Sequence, residues 1–285
     1  MKLSHALLIA CLLVATNWCW AKEEKQECNR ELISKTLGKK LKVALEEEAT
    51  PRGYEWKVIT LVCKNQPNDA NQVIVATFYE SLLPAKANDS DGFIFTVAIV
   101  DKAKRQVLSL HSEKYEEDAT TRFSEYSLRI DTARYDIADG VRAIGVRMNT
   151  FHGRCSYEGG WGEELWLFAD QKRTLVPVLK NFFIEQYQHQ WLKGSACGGS
   201  EELTGATHTA ERSLASTKQL SNGYRDFAVY AYIKSENENM TFKPKDERSL
   251  IGSLKFDGEL YQDTTRSAVD KLFEKRQRMY ETKRK

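Results

Sequence analysis

The residues with the most capacity for chemistry lie together in Phe151-His152-Gly153-Arg154-Cys155-Ser156-Tyr157-Glu158-Gly159-Gly160-Trp161-Gly162-Glu163-Glu164. Glycines permit sharp turns, yet this stretch also carries aromatic, basic and acidic side chains that a spacer does not need. His152, Arg154, Tyr157, Trp161 and Glu163 are therefore the candidate binding residues. Tyr157 and Trp161 each join an apolar ring to a polar handle, which suits contact with a protein or a sugar. The competing reading has Trp161 plugging one end of the core while the glycines only shape turns. Glu163 and Glu164 have the residue type of glycosidase carboxylates. Neighbours along a strand point to opposite faces, however, so these two do not form a catalytic pair.

A second glycine-rich loop, Gly194 to Gly205, carries Cys197-Gly198-Gly199. Behind the leader described below stand Cys28, Cys63, Cys155 and Cys197, an even set that reads in an exported chain as two disulfides. Cys28–Cys63 and Cys155–Cys197 are the expected pairs, since each brackets one local stretch of chain. The second bond would pin the two loops into one surface, and loops held by a rigid scaffold are where binding concentrates. A zinc site needs close Cys or His pairs, and of the four cysteines only Cys155 has such a neighbour, His152. No metal and no cofactor is expected.

The common catalytic signatures are missing: the phosphate-binding G-x-x-x-x-G-K-[ST], the zinc motif H-E-x-x-H and the serine elbow G-x-S-x-G. His111, His152, His189 and His208 are scattered without an i,i+4 pair. Asn88-Asp89-Ser90-Asp91-Gly92 resembles part of a calcium loop, but alanines fall at its first and twelfth positions, so it reads as a polar turn. Nothing here identifies an enzyme.

The compartment is read from the first residues. Lys2, the apolar run from Ala6 to Ala15, then Cys19-Trp20-Ala21 before the charged Lys22-Glu23-Glu24-Lys25 give the order of parts that a signal peptidase recognises. The run is shorter than the ~20 residues a spanning helix needs. Leu8-Ile9-Ala10-Cys11 has the form of a lipobox, the minority reading, because the apolar run continues past Cys11 through Val14. Loss of residues 1–21 lowers the net charge from +2 to +1, leaving no field to steer nucleic acid.

The elements that must position these residues follow from periodicity. Ile33, Leu37, Leu41 and Leu45 form an apolar stripe of a helix capped by Asn29 and ended by Pro51 and Gly53. From Tyr54 the period becomes two, with Tyr54, Trp56 and Val58 alternating against charge; Val73–Tyr79 and Phe93–Val100 read as strands, the latter buried on both faces. Three hairpins are expected: 93–100 with 107–110, 165–168 with 175–179, and 227–233 with 240–242. Ser127-Leu128-Arg129-Ile130-Asp131 with Tyr135 echoes Ser253-Leu254-Lys255-Phe256-Asp257 with Tyr261, which reads either as a duplicated unit or propeller-like blade or as the chance likeness of two strand-plus-turn segments. A closing helix has Ser267 and Asp270 as a capping box, with Val269, Leu272, Phe273, Met279 and Tyr280 on one face and Lys271, Lys275, Arg276, Arg278, Lys283, Arg284 and Lys285 on the other. The fold class is α+β, mainly β: antiparallel sheets, as a sandwich or propeller-like hairpins, with an N-terminal and a C-terminal amphipathic helix. Residues 22–263 form one β-rich domain and 264–285 the basic helix.

Leu128–Tyr135, Gly140-Val141-Arg142-Ala143-Ile144-Gly145-Val146-Arg147, and Glu164-Leu165-Trp166-Leu167-Phe168 through Val176-Pro177-Val178-Leu179 resemble segments of uncharacterised exported proteins of Gram-negative bacteria. The resemblance covers the middle third of the chain and implies a periplasmic setting, with no activity attached. The expectation is a periplasmic, non-enzymatic binding or inhibitor-type protein acting on an envelope protein or glycan. The alternatives are a cell-envelope hydrolase whose site assembles only in the fold, and a structural partner docking on a protein or membrane through the basic helix.

Overall fold

Alternation of buried side chains decides where strands form in this chain. A computed structural model describes residues 29–42, 45–46, 56–81, 93–115, 123–149, 159–193 and 204–284. Cys28, Tyr54, Asn88–Gly92, His152, Arg154, Cys155, Tyr157, Cys197 and the leader lie outside these residues. Helix α1 (Arg30–Leu41) leads into β1 (Leu45–Glu46), β2 (Trp56–Gln66), β3 (Asp69–Ser81), β4 (Phe93–Asp101) and β5 (Gln106–Tyr115). Next come β6 (Leu128–Ala138), β7 (Val141–Met148), β8 (Gly159–Trp161), β9 (Glu164–Gln171) and β10 (Thr174–Phe183). The chain closes with β11 (Glu185–Lys193), β12 (Thr204–Ser221), β13 (Tyr224–Glu238), β14 (Glu247–Leu254) and α2 (Arg266–Arg284).

The strands form two sheets. Nine order as β1-β2-β3-β4-β5-β10-β9-β7-β6 and five as β14-β13-β12-β11-β8. The larger sheet curls until β6 stands beside β2, a barrel-like wall that is nearly closed. Neither sheet is a stack of four-stranded blades, so the propeller-like reading gives way. Pairing is antiparallel except where β1 meets β2 and where β5 meets β10, the latter through the single pair Thr174↔Leu110.

Period-two alternation sorts the side chains into layers. Val62, Ile74, Phe78, Phe95, Val146, Trp166 and Phe168 fill the inside of the curl. Cys63, Val73, Val75 and Ala98 face outward from the same strands and meet Ile33 and Leu37 of α1. On the opposite wall, Ile137, Leu165, Leu167 and Phe182 pack against Phe227, Val229 and Leu254 of the smaller sheet. The far side of that sheet is covered by α2 through Val269 and Phe273. β4, central in the larger sheet, is buried on both faces, as expected.

Several expectations change. Asn29 does cap α1, accepting from the Leu32 N–H at 2.9 Å, but the helix stops at Leu41 with Lys42 in the left-handed region, before Leu45. The hairpins β4–β5 and β9–β10 stand where predicted. The third does not: β13 runs to Glu238 and its partner begins at Glu247, so Met240–Phe242 belong to the connection. Ser267 lies inside the first turn of α2 and caps nothing, and Met279 is exposed. Arg276, assigned to the basic outer face, is fully buried with Val269, Phe273 and Tyr280; positions 269, 273, 276 and 280 share one helical face.

Candidate functional site

The chain crosses from the smaller sheet to the larger at Trp161-Gly162-Glu163-Glu164, and that crossing sends three side chains to three environments. Trp161 ends β8, the edge strand that pairs with Gln186–Gln188 of β11. Its ring is 40% exposed and stacks on Phe183, centroids 5.4 Å apart, while the Arg266 guanidinium lies over Phe183 at 4.8 Å. Beside it opens a cleft of about 340 Å³ shared with Tyr187, Gln188, Asp270 and Glu274. Gly159 has to be glycine here, since its φ is +142° and a Cβ would come within 2.2 Å of the Tyr187 carbonyl oxygen.

Glu163 points to the outer face of the barrel wall. Arg129 grips it with two donors, Nε reaching Oε1 at 3.2 Å and Nη2 reaching Oε1 at 2.8 Å and Oε2 at 2.7 Å, and Arg147 Nη1 donates to Oε2 at 2.9 Å. Arg129 and Arg147 stand directly opposite each other in the β6–β7 ladder, an arrangement that like charges disfavour. Two carboxylates relieve it: Glu163 between them, and Asp131, which accepts from Arg147 Nε at 2.6 Å and from the Tyr135 hydroxyl at 2.8 Å. Burial pushes the Asp131 carboxyl up, but the Arg147 charge, the Ala133 N–H and the Tyr135 hydroxyl outweigh it and hold the acid below its ordinary range. Tyr135 reaches across because Gly145 has no side chain; a Cβ there would lie 2.9 Å from its ring.

This ion-pair ladder lies on the rim of a cleft of about 700 Å³ along the seam between β2 and β6. Its walls include Val58–Val62, the 79% exposed Tyr126, and Asn149. The hydrogen bond from Thr60 Oγ1 to the Glu125 carbonyl (3.0 Å) crosses the seam, and among the described residues no ladder pairs the two strands.

Glu164 points the other way, into the curl, on the face of Trp166 and Phe168. It is 6% exposed and accepts from the Tyr115 hydroxyl at 3.2 Å. Burial pushes its carboxyl up to about 7 against the pull of its hydrogen-bond donors. On the same wall Glu113, opposite Phe95, takes hydrogen bonds from His111 Nε2 (3.1 Å) and Lys180 Nζ (2.8 Å). Burial would raise Glu113 too, but those two donors overcome it and hold the acid low. The same wall thus carries a buried carboxyl group pushed up and a partly exposed one held low by its two donors.

Of the sequence-predicted site, Trp161 and Glu163 are described, and the structure does not join them in one cleft: Trp161 faces α2 while Glu163 faces the seam. The other three, His152, Arg154 and Tyr157, lie outside the described residues. Sequence reasoning missed Arg129, Asp131 and Arg147. The signal was present in the Ser127–Asp131 segment, which drew notice as an echo of Ser253–Asp257 rather than as alternating charge on one strand face. Of the other histidines, His111 pairs with Glu113, His189 with Thr207, and His208 is buried. Among the described residues no three His, Cys, Asp or Glu are placed to hold a metal, and no helix is long and apolar enough to cross a membrane.

No protein-family model, no curated protein and no solved structure matches the chain.

Proposed function

We propose that this chain is an exported, non-enzymatic binding protein of the cell envelope, holding a protein partner across the surface between the seam cleft and the Trp161 cleft. The observation that carries the reading is where the aromatic loop is rooted: it leaves from Asn149 on one cleft and returns at Gly159 on the other. An exposed aromatic stands at each cleft, Tyr126 at the one and Trp161 at the other, the residue types that anchor interfaces. The leader pattern of residues 1–21 supports export. The Cys155–Cys197 pairing is supported by β8 running antiparallel to β11, which sets the stems of the two loops side by side. Cys63, buried against α1 just beyond Cys28, supports the other pairing. Non-reducing peptide mapping should recover both bonds; Cys28 joined to Cys155 or Cys197 would break this part of the proposal.

The main test is capture of a partner from envelope extract by the mature chain, with the captured protein identified and rebound in purified form. Binding should fall in Trp161→Ala and Tyr126→Ala variants that unfold at the wild-type denaturant midpoint. Equal binding by wild type and both variants would remove the surface from consideration. Docking through α2 is the less favoured route, because its apolar face already lies on the smaller sheet.

A second reading, a hydrolase of envelope material, is favoured by the Glu164–Glu113 pair. Its test is turnover of cell-wall glycan or peptide substrates. Activity in wild type that is lost in Glu164→Gln would replace the binding proposal.

A further inference from the structure

We propose that the Trp161 cleft is a sugar-binding site that takes a short, uncharged oligosaccharide, with the indole as its stacking platform. The inference goes beyond the binding reading above: a sugar site needs no protein partner, and the two fail separately. Its first ground is how the cleft is built. Trp161 stands opposite Gln186, and Gln186 opposite Ala210, which packs under α2. Residues directly opposite in a ladder share a face, so Trp161, Gln186 and Gln188 all point to the α2 side of the sheet. Gly159, two residues before Trp161, belongs to the same face and opposes Gln188, but it has no side chain. A gap is left beside the indole, and Asp270 and Glu274, one turn apart on α2, line its other wall. At about 340 Å³ the cleft lies near the small end of ligand sites, which span about 300–1,000 Å³. Among the described residues β8 is the last strand of its sheet, so a chain of sugars can run out past the edge.

The second ground is the platform. A sugar ring carries weakly positive C–H bonds on its faces, and these meet the negative face of an aromatic ring. The indole is fixed before any ligand arrives: it stacks on Phe183 with centroids 5.4 Å apart and planes 27° from parallel, and the Arg266 guanidinium lies over Phe183 in turn. Phe183 uses one face of the indole, yet Trp161 remains 40% exposed. An aromatic already ordered loses little freedom on binding. The third ground is the polar lining. Each sugar hydroxyl both donates and accepts, and Gln186 and Gln188 offer both, while Asp270 and Glu274 accept. Gln186 Nε2 donates to Asp270 Oδ1 at 3.1 Å, which orients both groups and uses one of several acceptor positions on the carboxylate. Glu274 is 60% exposed, with Arg278 Nη1 3.8 Å away. The two carboxylates set the charge of the ligand: uronates and sulfated or phosphorylated sugars are repelled, and neutral pyranoses are admitted.

The test uses the full mature chain with tetrasaccharides of β-1,4-linked glucose and of β-1,4-linked N-acetylglucosamine, and tetragalacturonate as the charged control. The readout is the indole N–H region of a nitrogen-15 NMR spectrum, where Trp161 is the peak missing from Trp161→Ala. At least one neutral tetrasaccharide should shift that peak saturably, while the peak of buried Trp166 stays in place. Trp161→Ala, followed through the backbone amides of β8 and β11, should weaken binding by about ten-fold or more, the scale of a lost aromatic anchor. Gln188→Ala leaves the platform intact and should weaken it by about three-fold or more, the scale of one hydrogen bond. The absence of a saturable shift with both neutral sugars would overturn the proposal, and so would equal affinity in Trp161→Ala. If Trp161→Ala does not fold, Gln188→Ala decides, and unchanged affinity there overturns it. Tetragalacturonate bound as tightly as the neutral sugars also overturns it. Protein capture without a sugar-induced shift leaves the binding reading standing while the sugar site fails, and a shift without capture does the reverse.

Discussion

The α2-covered face of the smaller sheet and the outer rim of the larger one handle polar side chains in opposite ways. In the five-stranded sheet they are sealed under α2. His208 is fully buried, its ring bonded to Ser235 Oγ at 3.0 Å and Gln190 Oε1 at 3.1 Å. Arg212 donates Nε to the Phe183 carbonyl at 2.6 Å and Nη1 to Asp263 at 2.9 Å, with its guanidinium 4.2 Å over the Phe182 ring. Arg276 is buried too, with Nη2 on the Ile233 carbonyl at 3.4 Å and Nη1 unpartnered. In the nine-stranded sheet, by contrast, Arg129, Arg147 and Glu163 stand on the rim of a cleft where a ligand could reach them. The difference separates scaffold from site: a charge whose partners are fixed and sealed holds elements together, whereas a charge on an open rim is available. The two regions should therefore answer mutation in opposite ways, the face under α2 losing stability and the rim of the seam losing binding.

The largest effect is expected at Arg212. Truncation to alanine removes the nearer of the two arginines on buried Asp263, leaving it Arg266 at 3.5 Å and the Thr265 donors, and takes the donor from the Phe183 carbonyl and the Thr265 hydroxyl. Breaking a buried pair by removing one member costs about 3–5 kcal/mol. Urea unfolding of Arg212→Ala should show that loss as a lower midpoint. A change below about 1 kcal/mol would place Arg212 with ordinary surface pairs and blur the contrast between the sheets.

Next come two buried titrating groups with opposite pH slopes. Glu164, raised to about 7 from an ordinary 4.5, keeps its proton in the folded chain where the unfolded chain has lost it. Stability is therefore lost as pH rises from 4.5 through 7, by about 3 kcal/mol at 1.36 kcal/mol per unit. Glu164→Gln should abolish that slope and leave the variant more stable than wild type at pH 8. His208 works the other way. Burial, reinforced by the Arg276 charge, lowers it to about 4 from 6.5, so its contribution is complete above 6.5 and is lost as pH falls through 4. Between pH 4.5 and 6.5 the two slopes oppose each other, and wild-type stability should be nearly flat. His208→Gln should expose the falling limb of Glu164 in that window. If the variant stays flat, the Glu164 carboxyl titrates normally and its place as an interior acid is lost.

What was legible in the sequence follows the same division. The β4–β5 and β9–β10 hairpins were legible because apolar alternation and a charged turn speak together at each. The β12–β13 hairpin, the longest in the molecule, was passed over although Asn222-Gly223, both at positive φ, marks its turn. The Thr204–Ser221 run is polar and alanine-rich, so its period is weak, and the signal lay in the turn. Arg276 was misplaced because charge alone counted toward the exposed face, whereas its position in the 269-273-276-280 row points inward. The seam was beyond sequence reading altogether. It depends on how far the larger sheet curls, which no local pattern encodes.

The smallest stability effect, and the sharpest test of the contrast, is expected at Arg129. Its side chain is 62% exposed, so its two-donor grip on Glu163 is formed in water and offset by the entropy of holding a long side chain. Arg129→Ala should change unfolding free energy by less than about 1 kcal/mol, the range of exposed ion pairs. Glu163 keeps Arg147, which keeps Asp131, so the inner part of the ladder stays neutralised without it. Removing Arg129 even relieves the like-charge contact across β6 and β7, which pushes the net change closer to zero. Partner binding should respond differently, since the variant takes a donor from the rim of the seam while leaving the fold intact. A variant with wild-type unfolding and weakened partner binding would give the nine-stranded sheet the role of site. Wild-type unfolding with wild-type binding would make the Arg129–Glu163 pair an ordinary surface contact, and the search for the partner surface would move to Trp161.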